Sequence, residues 1–251
     1  IGSGQDGEEA PGIPWPEPRF HGADEVVRDA LTDLVWTTKA NFTEFPVDWL
    51  EALDTVRRMN RESYAGHRDW RLPNRRELRS LISYQTRDPA LPRPHPFQDV
   101  FLGWYWTSTT AAINPAYAWY VHLEGGRMFY GRKTEYRLVW PVRGSGNGVL
   151  PGTGQKGCFD VDGTPVPCRE TGQDGELQMG IQWPEPRFRA DSETVLDGLT
   201  GLVWSRRADL AGRWITWEEA FRVVSDLNHR KLGDRTAWRL PTINELESLV
   251  D

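Results

Sequence analysis

Asp69-Trp70-Arg71-Leu72-Pro73-Asn74-Arg75-Arg76-Glu77-Leu78 is the stretch from which the fold is read. Leu72 precedes a proline and so avoids helical angles, which makes Trp70 to Pro73 an extended segment. Asn74 followed three residues later by Glu77 has the form of a capping box, so a short helix starts immediately afterwards. The same pattern returns at Trp238-Arg239-Leu240-Pro241, with Thr242 and Glu245 as the cap pair.

The two occurrences are 168 residues apart, and that spacing holds outward in both directions. Gly4-Gln5-Asp6-Gly7-Glu8 returns as Gly172-Gln173-Asp174-Gly175-Glu176, and Trp15-Pro16-Glu17-Pro18-Arg19-Phe20 as Trp183-Pro184-Glu185-Pro186-Arg187-Phe188. Trp36 corresponds to Trp204, Trp49 to Trp217 and Asn60 to Asn228. A period this long lies outside the range of solenoid repeats, so the expectation is a tandem array in which each unit is a domain with its own core. We divide the chain into a first, complete repeat over 1–146, a linker with a cysteine-bounded hairpin over 147–170, and the first half of a second repeat over 171–251. Such a half needs further chain or a neighbouring molecule to complete it.

Residues 1–24, rich in Gly, Pro and acids, read as an irregular lead-in to a short strand around Leu34 to Trp36. Trp49, Leu50, Leu53, Val56 and Met59 then recur at helical spacing behind Asp48 and Glu51, a second capping pair that Thr216 and Glu219 repeat. From Trp104 the period becomes alternating, predicting strands over 104–109, 118–123, 127–130 and 137–143. Helices first and an antiparallel sheet last define an α+β domain. Trp36, Trp49 and Trp70, with Trp204, Trp217 and Trp238, have the apolar company of core residues. Arg71 and Arg239 are expected to hold loop carbonyls or a buried carboxylate.

Cys158 and Cys168 flank Asp162-Gly163, a turn dipeptide, so a hairpin brings the two sulfurs face to face. A disulfide and an oxidising compartment are the preferred reading, and a pair of reduced thiols is the alternative. Zinc lacks a second Cys or His pair at ligand spacing. Asp160-Val161-Asp162-Gly163 resembles the start of a calcium loop but lacks the further acidic ligands, so whether calcium binds stays open. No metal site and no cofactor is assigned.

With 38% hydrophobic and 26% charged residues the chain can bury a core, and no apolar run is long enough for a membrane helix. The net charge of −6 offers no general attraction to nucleic acid. His21, His67, His95, His122 and His229 occur in no metalloprotease pattern, and neither a nucleophile elbow nor a Cys-His arrangement is present, so no catalytic residue is assigned.

Thr32-Asp33-Leu34-Val35-Trp36, the stretch 69–78, Tyr105-Trp106-Thr107-Ser108-Thr109-Thr110, Ala118-Trp119-Tyr120-Val121-His122 and Val139-Trp140-Pro141-Val142-Arg143-Gly144 together resemble the domain at the C-terminus of the Legionella collagen-like adhesin. The resemblance covers most of the first repeat and the first half of the second. It implies a C-type-lectin-like fold, related also to the formylglycine-generating enzyme, in a secreted or surface-exposed adhesion module that binds sulfated glycans. The redox-active cysteines of that enzyme have no equivalent between Ile1 and Gly157.

The candidate ligand-binding residues are Asn114, Tyr117, His122, Arg127, Tyr130, Arg132, Lys133 and Arg137, which combine aromatic platforms with positive and hydrogen-bonding groups. Strand alternation also sends part of this set into the core, where it serves packing. Three functions follow: a non-catalytic module that binds a glycan or protein ligand, multiplied for avidity; a structural subunit of an extracellular fibre or sheath, self-associating through an open sheet edge; and, as an outsider, an enzyme.

Overall fold

The structure, a computed structural model, describes residues 3–250. It forms two compact units, one of residues 15–182 and one of residues 3–14 together with 183–250. A one-turn helix, α1 (Asp6–Glu9), lies in the latter.

The unit of residues 15–182 opens with β1 (Phe20–Ala23) and β2 (Val26–Asp29), paired antiparallel, followed by β3 (Val35–Thr37) against β2. β1 falls inside the stretch read as irregular. Its hairpin turns at Asp24-Glu25, with Asp24 at φ 45, and that dipeptide lacks the glycine that usually announces such a turn. Arg19 and Asp29 clamp the hairpin's base through two hydrogen bonds at 2.9 and 2.7 Å, both side chains buried.

Helix α2 (Trp49–Glu62) starts at the expected box: the Asp48 carboxylate accepts from the Glu51 amide at 2.9 Å, and Glu51 accepts in return from the Asp48 amide. Its inward face buries Trp49, Leu53, Val56 and Met59, while Leu50 stays exposed. Helix α3 (Arg75–Ser80) has the second box, Asn74 with Glu77. Arg71 meets both expectations for it. Its guanidinium forms a two-pronged pair with Glu77, at 2.6 and 2.7 Å, and donates to the Gly144 carbonyl at 2.8 Å.

β4 (Trp104–Thr110), β5 (Tyr117–His122) and β6 (Met128–Arg132) form an antiparallel sheet in that order, and β7 (Val142–Arg143) joins β3 in the first sheet. The predicted strand over 137–143 is thus mostly irregular. Arg137 bonds Val47, Leu138 bonds Trp104 and Trp106, and the carbonyls of Val139 and Pro141 serve Phe42 and Thr37, so the segment stitches several elements instead of running along one. Two hydrophobic clusters result. One joins Trp36, Leu78, Tyr105, Val121 and Trp140; the other packs α2 against Trp70, Trp106, Tyr120 and Val139.

This unit runs past the expected boundary at 146 to Gln182. β8 (Cys158–Phe159) and β9 (Pro165–Val166) make the cysteine hairpin, closed by the Cys158–Cys168 disulfide, and α4 (Asp174–Leu177) follows. Asp160 caps the turn by accepting from the amides of Asp162 and Thr164. The physical reason for the extension is polar: the buried Asp174 accepts from the Thr109 and Thr153 hydroxyls at 2.6 and 2.8 Å, and the partly exposed Arg57 donates to the carbonyls of Glu170 and Thr171.

In the other unit, β10 (Phe188–Ala190), β11 (Thr194–Asp197), β12 (Val203–Ser205), α5 (Trp217–Arg230) and α6 (Ile243–Ser248) fall 168 residues after β1, β2, β3, α2 and α3. Arg187 with Asp197 and Arg239 with Glu245 reproduce the ion pairs. The tryptophans differ. Trp36, Trp49 and Trp70 are buried, whereas Trp204 and Trp238 are half-buried and Trp217 is 61% exposed, against the core role expected of all six. Trp49 is covered by β4 and by Lys133, and nothing equivalent covers Trp217 among the described residues of its unit.

Candidate functional site

Strand register sorts the eight candidates. Tyr117 pairs with Arg132 and Trp119 with Tyr130, and steps of two keep all four side chains on one face of the β5–β6 ladder. There the Tyr117 and Tyr130 rings lie 6.2 Å apart, Trp119 meets Tyr130 edge-on at 5.1 Å, and the Arg132 guanidinium sits 5.9 Å from the Tyr117 ring centre. Arg75, at the start of α3, lies over Trp119 at 4.3 Å. Arg132 is exposed, and among the described residues no carboxylate pairs with it. The exposed Phe129 ring stacks on Tyr130 at 4.9 Å, extending the aromatic surface around the edge strand β6.

The other candidates stand apart from this face. Lys133 is fully buried. Its ammonium donates to the carbonyls of Phe159 and Asp160 at 3.0 and 3.1 Å and lies 4.2 Å from the Trp49 ring centre, so it pins the cysteine hairpin to α2. Burial pulls its pKa down to about 8, with Asp160 opposing. His122 is buried on the opposite face beside Trp104 and accepts from the Glu124 amide at 3.0 Å; burial, with Arg127 adding to it, lowers its pKa and favours the neutral ring. Arg127 is exposed but paired with Glu124 at 3.1 Å. Arg137 stacks on Tyr120 at 4.6 Å and pairs with Glu135. Asn114 shapes the turn between β4 and β5, accepting from the Ala116 amide at 3.1 Å.

Tyr117, Tyr130 and Arg132 therefore form one surface. Lys133, His122 and Arg137 serve packing. Sequence reasoning missed Trp119, Phe129 and Arg75. Trp119 was legible, since it sits two residues from Tyr117 in an alternating strand. Arg75 was not, because it belongs to the helix cap motif and reaches the sheet only through folding.

No group of three His, Cys, Asp or Glu side chains is placed to hold a metal ion among the described residues. Among them, no helix is long and apolar enough to cross a membrane.

The family model described as the Lcl C-terminal domain matches residues 25–143 and 193–251. The chain belongs to this family. Both matched stretches of the Lcl C-terminal domain begin at the same element, the turn into β2 and its counterpart β11, and the first ends with β7. The aromatic face on β5 and β6 thus lies inside the matched region, and the cysteine hairpin lies outside it. No curated protein matches the chain.

Proposed function

We propose that this Lcl C-terminal domain protein is a non-catalytic binding and adhesion module of C-type-lectin-like architecture, arranged in tandem on a secreted or cell-surface protein. We propose further that the β5–β6 face takes an anionic glycan. The observation that carries the reading is the cluster of Tyr117, Trp119 and Tyr130 rings with Arg132 exposed beside them. Ring faces suit the apolar faces of sugars, and a guanidinium binds sulfate or carboxylate through paired hydrogen bonds. The disulfide supports an oxidising compartment.

The test is retention of the chain on a sulfated polysaccharide column across a salt gradient. Arg132→Ala and Tyr130→Ala should each elute at lower salt, because charge-assisted contacts at a surface are screened by ions. Arg132→Ala should leave the thermal midpoint nearly unchanged, an exposed substitution being worth about 0.5 kcal/mol or less. Absence of retention at low salt, or retention unaffected by both substitutions, defeats the glycan reading.

One observation favours a second reading, that of a structural subunit of an extracellular fibre or sheath. Trp214 is 97% exposed, and Trp217, Ile243 and Leu246 are exposed in the same unit, large apolar side chains that an assembly would bury.

A further inference from the structure

The two acidic segments that repeat at 168-residue spacing adopt the same local structure. In residues 3–14, Glu8 accepts from the Gly4 amide at 2.9 Å and the Ser3 hydroxyl at 2.8 Å; in residues 171–182, Glu176 accepts from the Gly172 amide at 2.7 Å and the Thr171 hydroxyl at 3.0 Å. Each forms a one-turn helix that ends in a left-handed residue, Ala10 at φ 39 and Gln178 at φ 45.

They also occupy equivalent places. A Cβ on Gly172 would lie 3.7 Å from the Leu53 side chain on α2, and one on Gly4 would lie 3.3 Å from the Phe221 ring on α5. Leu53 and Phe221 are themselves 168 residues apart. Asp174 lies in the field of Arg71, and Asp6 and Glu9 in that of Arg239, again equivalent arginines. What differs is the connection. Residues 171–182 reach their unit directly from β9 of that unit, whereas residues 3–14 join residues 183–250 although the whole other unit intervenes in the chain. The docking place accepts the segment from either chain direction, so it is held by contacts and not by covalent continuity.

We propose that residues 3–14 are an exchangeable docking strap whose partner is the α5 and α6 surface of a second copy of this chain. The strap is preformed by its internal Glu8 bonds, which lowers the ordering entropy that binding in trans must overcome. A copy that gives its strap to another can receive one in return, so exchange links molecules without creating a new kind of interface.

The test uses the full chain with a benzoylphenylalanine in place of Phe221. Isotopically heavy and light preparations are mixed, irradiated and mapped by mass spectrometry. Cross-links from position 221 to residues 3–14 should include heavy-light pairs, and their share should rise with protein concentration towards the statistical value. Cross-links confined to single molecules at every concentration, or none to residues 3–14, overturn the proposal. The same group in place of the exposed Trp217, whose ring meets Phe221 at 4.8 Å, keeps the test open if the first variant does not fold. The outcome does not depend on glycan binding, since the strap and the β5–β6 face share no residue.

Discussion

Two buried ionisable side chains tie the cysteine hairpin and α4 to the sheet. Lys133 fills the space between Trp49 and the carbonyls of Phe159 and Asp160. Lys133→Met keeps the volume but leaves two acceptors without their donor, and should destabilise the unit of residues 15–182 by about 1–3 kcal/mol in urea unfolding. Asp174 is pushed up to about 6 by burial, against the opposing pull of the Thr109 and Thr153 hydroxyls, with Glu77 and Arg71 the charges that act on it. Its folded pKa is raised, so the folded state keeps the proton longer than the unfolded chain does. Its contribution is therefore fully present below about pH 4 and is lost as pH rises through about 6. Asp174→Asn, which stays neutral, should remove that fall: the stability difference between variant and parent should grow in the variant's favour from pH 4 to pH 7. A difference independent of pH would contradict the assignment.

At the scale of elements, capping boxes and turns set where structure starts, and crosslinks decide what stays attached. The hairpin of β8 and β9 has only two paired residues on each side, too little to persist alone, and the Cys158–Cys168 disulfide closes it. Replacing both cysteines by serine should lower stability by about 2–3 kcal/mol, the range expected for a loop of this length. Amide exchange should rise first around Cys158 to Val166, while β4 and β5 remain protected. Equal loss of protection in the sheet would mean that the hairpin is part of the folding core. The helix starts were legible because a capping box is written in residues three apart. The segment over 137–143 was not, because alternation marks which residues face inward but not which strand their amides will meet, and these amides meet several.

For the whole molecule, burial is uneven. The fully apolar buried residues lie almost all in residues 15–182, and Leu227 alone represents residues 183–250 among those described. A unit with so little buried apolar surface should open at lower free energy. Amides of α5 and α6 should therefore exchange, and Trp204 and Trp238, half-buried in the folded unit, become fully quenchable, at urea concentrations where β4 to β6 stay protected. A single cooperative transition with uniform protection would show that the two units stabilise each other.

The sequence by itself determined the repeat spacing, the α+β order of elements, both pairs of capping boxes, the kind of partner Arg71 takes, the hairpin that brings Cys158 to Cys168, and the family; the structure named Glu77 and Gly144 as the partners and closed the disulfide. The former depend on local spacing, where side-chain chemistry acts over a few residues and leaves a readable pattern. Only the tertiary structure decided which candidates share a surface, because strand register places Tyr117, Tyr130 and Arg132 on one face and buries Lys133. It also decided that residues 3–14 belong with residues 183–250, which they do not border in the chain, while residues 171–182 stay with the unit they follow, since docking depends on complementary surfaces brought together from distant parts of the chain.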